Sequence, residues 1–159
     1  MPRSGADLAL LLLGGFRSHV VAAILELAAQ GHGDVRPVHD FAMRAIAAGA
    51  DNTSELGRRL AVSKQAAAKT VAQLQERGYV SREPDPHDAR RKRLQVTARG
   101  FNVLRRGEAI FDKLRNQWER QIGREQLETL EALLAALVGD SPGRLDTPGW
   151  MTQEVGEPG

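Results

Sequence analysis

TSELGRRLAVSKQAAAKTVAQLQERGYVSREPDPHDARRKRLQVTARG, residues 53–100, is the stretch that decides the fold. Thr53 can cap a short helix, TSELGRRL, and Ser63 can cap a second that runs toward Gly78. Only Ala61, Val62 and the second cap separate the two helices. In the second helix Ala67, Val71 and Leu74 fall at i, i+4 and i+7, the spacing of one buried stripe. The opposite face carries Lys64, Gln65, Ala68, Lys69 and Gln73. Gly78 suits the position after the helix end. Tyr79–Arg82 then reads as a strand and Leu94–Val96 as its returning partner, with Leu94 and Val96 on one face. The tip, roughly 84–91, carries Pro84 and Pro86, which cannot donate ladder hydrogen bonds. Cations crowd this hairpin at Arg82, Arg90, Arg91, Lys92 and Arg93.

Outward from this centre the chain reads as helices. Residues 6–29 form a long apolar helix, weakened locally at Gly14-Gly15 by about 1 kcal/mol per glycine and ended by the Gly31–Asp34 turn. Pro37 opens a second helix over about 37–48 with Phe41, Ala45 and Ile46 on its apolar side. Thr97 caps a helix to about 120, in which Leu104, Phe111 and Trp118 recur every seven residues, with Phe101 and Leu114 alongside. Gly123 separates it from a last helix, about 124–138, striped by Leu127, Leu130, Leu134 and Leu137, with Leu133 beside it. Residues 140–159 hold four Gly, three Pro and a net charge of −3. That composition predicts a mostly disordered tail, in which Trp150 has no assigned partner.

The 159 residues suit one domain, 1–139, with the tail behind it. The chain has no cysteine. Disulfides, thiolate metal sites and cysteine redox chemistry are therefore excluded. Net charge is only +2, but residues 53–106 hold 13 Lys/Arg against 5 Asp/Glu, an excess of eight. A basic middle between acidic flanks points to an anionic partner. Salt screens that attraction beyond about 8 Å, so the partner must touch.

The apolar run Leu8–Leu13 lasts six residues before Arg17, Ser18 and His19 follow. About 20 are needed to cross a bilayer. Asp7 before the run and the lack of a cleavage site after it also disfavour a secretory signal. The expectation is a cytoplasmic protein with no membrane partner. His19, His32, His39 and His87 match no compact ligand spacing and read as surface or interface histidines, so no metal and no cofactor is expected; His19, in the first helix, could line a ligand pocket. No nucleophile motif, phosphate loop or paired catalytic carboxylate is present, so the chain does not read as an enzyme.

Helix, tight turn, second helix and basic hairpin is the winged helix-turn-helix order. The DNA major groove, about 12 Å wide, admits one helix. A narrow cationic hairpin suits the adjacent minor groove or its phosphates.

Four motifs in this order resemble the MarR (multiple antibiotic resistance regulator) family: Thr53–Ser63, Leu74–Arg82, Asp88-Ala89-Arg90 and Val96–Gly100. The resemblance covers about residues 20–138. It implies a mainly α fold with a small β-hairpin wing and a two-fold homodimer built from helices 6–29, 97–120 and 124–138. The DNA-binding lobe would be 37–96. Residues 64–69 would read the major groove and Arg90 the minor groove, positioned by a salt bridge to Asp88. Many members are repressors released by small anionic or phenolic ligands bound between the lobes.

The predicted DNA-contacting set is Ser63, Lys64, Gln65, Ala66, Ala68, Lys69, Gln73, Arg90, Arg91 and Arg93. Three features depart from the family pattern. Ala66-Ala67-Ala68 leaves direct readout to Lys64, Gln65 and Lys69. Val96 stands where leucine is commoner. Arg93 replaces an apolar strand residue and is expected to face outward onto phosphate.

Dimerisation also follows from the apolar stripes of the three flanking helices, which exceed what one small lobe can cover. Two-fold pairing sets the reading helices about 34 Å apart and calls for an inverted-repeat operator in double-stranded DNA. The alternative is a winged-helix module whose basic face docks an acidic protein.

Overall fold

A computed structural model describes residues 2–138. The predicted tail and Trp150 lie outside the described residues. Six helices and one hairpin follow in the order α1 (Gly5–Ala29), α2 (Pro37–Ala47), α3 (Thr53–Leu60), α4 (Lys64–Glu76), β1 (Val80–Asp85), β2 (Asp88–Val96), α5 (Ala98–Ile122) and α6 (Arg124–Val138). The mainly α architecture with a small β-hairpin is the one expected.

Local chemistry explains the boundaries. Ser4 caps α1, and Asp7 returns the bond to the Ser4 backbone. Pro37 occupies the first turn of α2. The cap of α3 is Asn52, not Thr53: its Oδ1 accepts the Glu55 N–H at 2.8 Å, and Thr53 is already helical. Ser63 Oγ accepts the Ala66 N–H at 3.0 Å and caps α4 as expected. Thr97 Oγ1 accepts the Gly100 N–H and donates to Gly78 O at 2.6 Å, so one hydroxyl caps α5 and pins the end of α4.

Two close approaches shape the winged lobe. Ala61 closes α3 in the left-handed region, at φ 52°. Beside it, a Cβ on Gly57 would stand 3.0 Å from Val62 O, so this turn has room for little more than hydrogen. At the start of α5, a Cβ on Gly100 would stand 2.3 Å from Tyr79 O. Only glycine lets α5 leave the sheet there.

The core joins α2, α3, α4 and the hairpin to one side of α5. Met43, Leu56, Val71, Leu74, Tyr79 and Val103 are fully buried. The Ala67, Val71 and Leu74 stripe faces inward as predicted. Each such aliphatic side chain is worth about 1.5–3 kcal/mol.

The wing strands are longer than predicted. Val80 pairs with Val96 and Arg82 with Leu94, and pairing continues to Pro84 opposite Lys92. The register shifts between Pro84 and Asp85, so Pro84 ends the regular pairing, in a ribbon whose strands are both edges. The tip is only Pro86-His87.

α1 corrects one reading. Its apolar character continues past His19, so the helix is long and apolar enough to cross a membrane by length and composition, with mean hydropathy 1.9 over its best window. Only Val20, Ala23 and Leu27 of this helix are buried, while Leu8 and Leu10–Leu13 are 50–66 % exposed. At Gly15 the Trp118 ring lies 3.4 Å from where a Cβ would be, an ordinary contact, so α5 packs against the glycine that weakens the helix without requiring it. His19 meets the same ring edge-on at 4.4 Å.

Candidate nucleic-acid interface

α4 presents three arcs. Ala67, Thr70, Val71 and Leu74 are buried. Lys64, Gln65, Ala68 and Lys69 are exposed. Between these arcs lies a flank of Ala66, Gln73 and Arg77, all half-buried. The exposed arc matches the predicted reading face except at Gln73. Its Oε1 receives the His39 Nε2–H at 3.0 Å, so this side chain is turned to α2 rather than left for a base. Ser63 is exposed, with its hydroxyl oxygen committed to the cap.

The turn between α3 and α4 adds residues that the sequence reading missed. A groove of about 520 Å³ is lined by Ser54, Gly57, Arg58, Ala61, Val62, Ser63 and Lys64. It opens beside the first turn of α4, where backbone N–H groups and the helix dipole favour an anion. Arg58 is ion-paired to Glu55 yet its side chain stays 77 % exposed. The signal was available: Arg58 is one of two cations, with Arg59, in the last turn of the helix that leads into the turn.

On the wing, Arg82, Arg90, Arg91 and Lys92 are all exposed. Asp88 does not form the expected salt bridge. Its Oδ1 accepts the Arg90 backbone N–H at 3.0 Å, a side-chain-closed turn, and no ion pair joins it to the Arg90 guanidinium. At the tip Asp85 accepts the His87 N–H at 2.9 Å, which holds its carboxyl below the ordinary range.

Arg91 pairs with Asp51 at 3.6 Å, and the Leu94 N–H donates to Asp51 O at 2.8 Å. The loop before α3 therefore anchors the wing. Arg93 corrects another expectation: it is half-buried, and its Nε is closed from solvent without a hydrogen-bond partner. Any phosphate contact would use its terminal nitrogens alone.

Two of the four histidines are buried rather than superficial. His39 lies between α2 and Gln73 of α4. His32 Nδ1 lies 3.1 Å from the Tyr79 hydroxyl, which donates to Asp34 at 3.0 Å. Arg99 covers the Tyr79 ring at 4.9 Å. His19 does line a cavity, about 310 Å³, with Phe111, Arg115, Trp118, Leu127 and Glu131 among its walls. Among the described residues no cluster of three or more His, Asp or Glu could hold a metal.

A family model described as the MarR family matches residues 41–91. Among solved structures, wild-type MarR from E. coli in its apo form is 18 % identical, with 87 % of this chain and 99 % of that chain covered at a TM-score of 0.65. A MarR-family transcriptional regulator from Rhodococcus sp. RHA1 is 19 % identical over 86 % and 96 %, at 0.64. The F27L mutant of MepR from S. aureus, bound to an oligodeoxyribonucleotide, is 16 % identical over 86 % and 97 %, at 0.58. Residues 41–91 thus match the MarR family model in sequence, a span that holds the first three motifs but not Val96–Gly100, and the described chain shares the fold of these solved structures.

Proposed function

We propose that this protein is a cytoplasmic transcription regulator that binds double-stranded DNA by sequence as a homodimer. The observation that supports this most is the exposure of two cation sets. One is the Lys64, Gln65 and Lys69 face of α4. The other is the Arg82, Arg90, Arg91 and Lys92 wing, tied to the α2–α3 loop through Asp51. In this reading Lys64 and Lys69 read base edges, and Arg90 meets the minor groove or its phosphates. The groove at Ser54, Arg58 and Ser63 holds a backbone phosphate. The exposed leucines of α1 and α6 face a second copy, which repeats the surface about one DNA turn away. The operator is an inverted repeat, and the chain acts as a repressor. Release by a small anionic or phenolic ligand is part of the proposal and rests on the family resemblance.

Selection of bound fragments from random duplex DNA tests it. Recovery of an inverted repeat supports the reading. A flat pool, with affinity no better than about 10⁻⁴–10⁻⁶ M, favours an acidic protein partner instead. With the operator in hand, Arg90→Ala lowers the salt slope by about one unit on every duplex. A substitution at Lys64 instead changes preference at one base pair by about 1–3 kcal/mol. Equal losses for both variants on operator and scrambled duplexes would remove the assigned roles.

A further inference from the structure

One buried ring ties the proposed reading helix to α2. His39 is 3 % exposed and lies in the first turn of α2. Its Nδ1 accepts the Arg36 backbone N–H at 2.9 Å. Nδ1 therefore carries no proton, and Nε2–H donates to Gln73 Oε1. One turn along the same flank of α4, the Arg77 guanidinium stands 3.3 and 3.4 Å from the two ring nitrogens. Arg77 also donates to Asp34 O at 2.7 Å and pairs with the Asp34 carboxylate at 3.6 Å. So α4 is fastened to α2 and to the α1–α2 loop through Gln73 and Arg77, the half-buried pair beside the exposed arc.

This arrangement has no place for a second proton on the ring. A protonated Nδ1 would set its N–H against the Arg36 N–H. The new cation would also face Arg77. Four charged groups and one titratable hydroxyl surround the site. Arg36 and Asp40 belong to the start of α2, and Asp40 is engaged by Arg44 at 2.7 Å. Asp34 comes from the loop and is shared by Arg77 and the Tyr79 hydroxyl. Arg77 is the residue that closes the end of α4. The one carboxylate free to answer an imidazolium, Asp34, is already answering others.

We infer that His39 is a positioning residue for DNA recognition: the neutral ring sets the flank of α4 against α2, and its protonation releases that flank and weakens duplex binding in mild acid. The DNA half of this inference rests on the function proposed above. Burial, with Arg77 adding to it and the Gln73 bond opposing it, holds the ring below its ordinary 6.5. A histidine with a depressed folded value is bound by fewer protons than in the unfolded chain. Its contribution is therefore complete above about 6.5 and is lost as pH falls toward the folded value.

Two measurements test this in the full chain, in a His87→Gln background so that the wing-tip ring cannot add its own charge. The first is NMR of the free protein, following the His39 ring and the amides of Gln73–Arg77 through a pH titration. Ring and amides are expected to move with one midpoint below 6.5. The second is fluorescence anisotropy at constant ionic strength with the duplex enriched from a random pool of about 30-base-pair DNA.

Affinity is expected to fall about tenfold between pH 7.5 and 5.5, and His39→Gln, which can still hydrogen-bond Gln73 but cannot titrate, should keep most of it. A His39→Gln variant with the full acid loss would overturn the inference. So would a ring that titrates while the α4 amides stay still. If ring and helix titrate together but no duplex binds at any pH, the DNA-binding reading fails and the lock between α2 and α4 stands.

Discussion

The lobe from α2 to β2 and the lobe of α1, α5 and α6 solve the same problem differently. In the first, Leu56, Leu74 and Tyr79 lose all contact with water inside one chain. In the second, Leu8, Leu10–Leu13 and Leu25 on α1, and Leu133 and Leu137 on α6, remain 50–82 % exposed. Both lobes are rich in apolar residues, so composition does not separate them. What separates them is closure. Helices α2, α3 and α4 cross at short turns and the hairpin covers the remaining side, while α1 and α6 each pack on α5 and leave their outer faces bare. The first lobe is a finished core. The second leaves apolar faces uncovered within one chain, and the homodimer proposed above would cover them.

The largest effects should show this difference directly. Leu56→Ala opens a cavity in the finished core and is expected to cost about 2–5 kcal/mol in urea unfolding, equally at all protein concentrations. Leu11→Ala, on the bare face, is expected to cost about 1.5–3 kcal/mol only where α1 is covered by a partner. Its effect should shrink on dilution, when sedimentation shows the subunits parting. A Leu11→Ala loss that ignores concentration would mean that something other than a second copy covers α1. No loss at any concentration would mean that the face stays wet.

A middle-sized effect probes the start of the reading unit. Asn52→Ala removes the bond to the Glu55 N–H and is expected to cost about 1 kcal/mol. Thr53→Ala, one residue on, should stay within about 0.5 kcal/mol. The reverse order would return the cap to Thr53. This pair also marks how far the sequence could be read. Asn52 and Thr53 are both good cap residues, and composition alone does not choose between them. The spacing does: Asn52 stands three residues before Glu55, the capping-box interval.

Elsewhere, local signals were strong. Ser63, Thr97, Pro37, Gly78 and Gly123 sit at element ends because their chemistry acts within one turn of the chain. The errors fall where a distant residue decides. Gln73 lies on the polar side of its own helix, but His39, 34 residues away, claims it. Arg91 looked like one more wing cation until Asp51 met it. His32 and His39 carry no sequence mark of burial, since their partners lie on other elements. Pro84 misled differently. It is a sound strand breaker in general, yet here it ends the regular pairing opposite Lys92, in a two-stranded ribbon whose strands are both edges.

The smallest expected effect separates two roles for Asp88, and with them two ideas of how the wing is set. Oδ1 of Asp88 accepts the Arg90 N–H on an exposed hairpin. Such a contact is worth little to global stability, and an exposed ion pair would be worth about 0–1 kcal/mol as well. Stability alone therefore cannot distinguish a turn-closing acceptor from a charge that aims Arg90. Substitution can. Asp88→Asn keeps an oxygen for the Arg90 N–H and removes the charge, whereas Asp88→Ala removes both. If the turn is what matters, the asparagine variant holds the wing as the parent does and only the alanine variant loses operator preference. If the charge aims Arg90, the two variants lose it together. Removing a negative charge from this face also raises affinity for any duplex, so bare affinity would mislead. The ratio of operator to scrambled binding at fixed salt is the measurement that decides. The geometry favours the turn, because the Asp88 oxygen is bound to the backbone of Arg90 and not to its side chain.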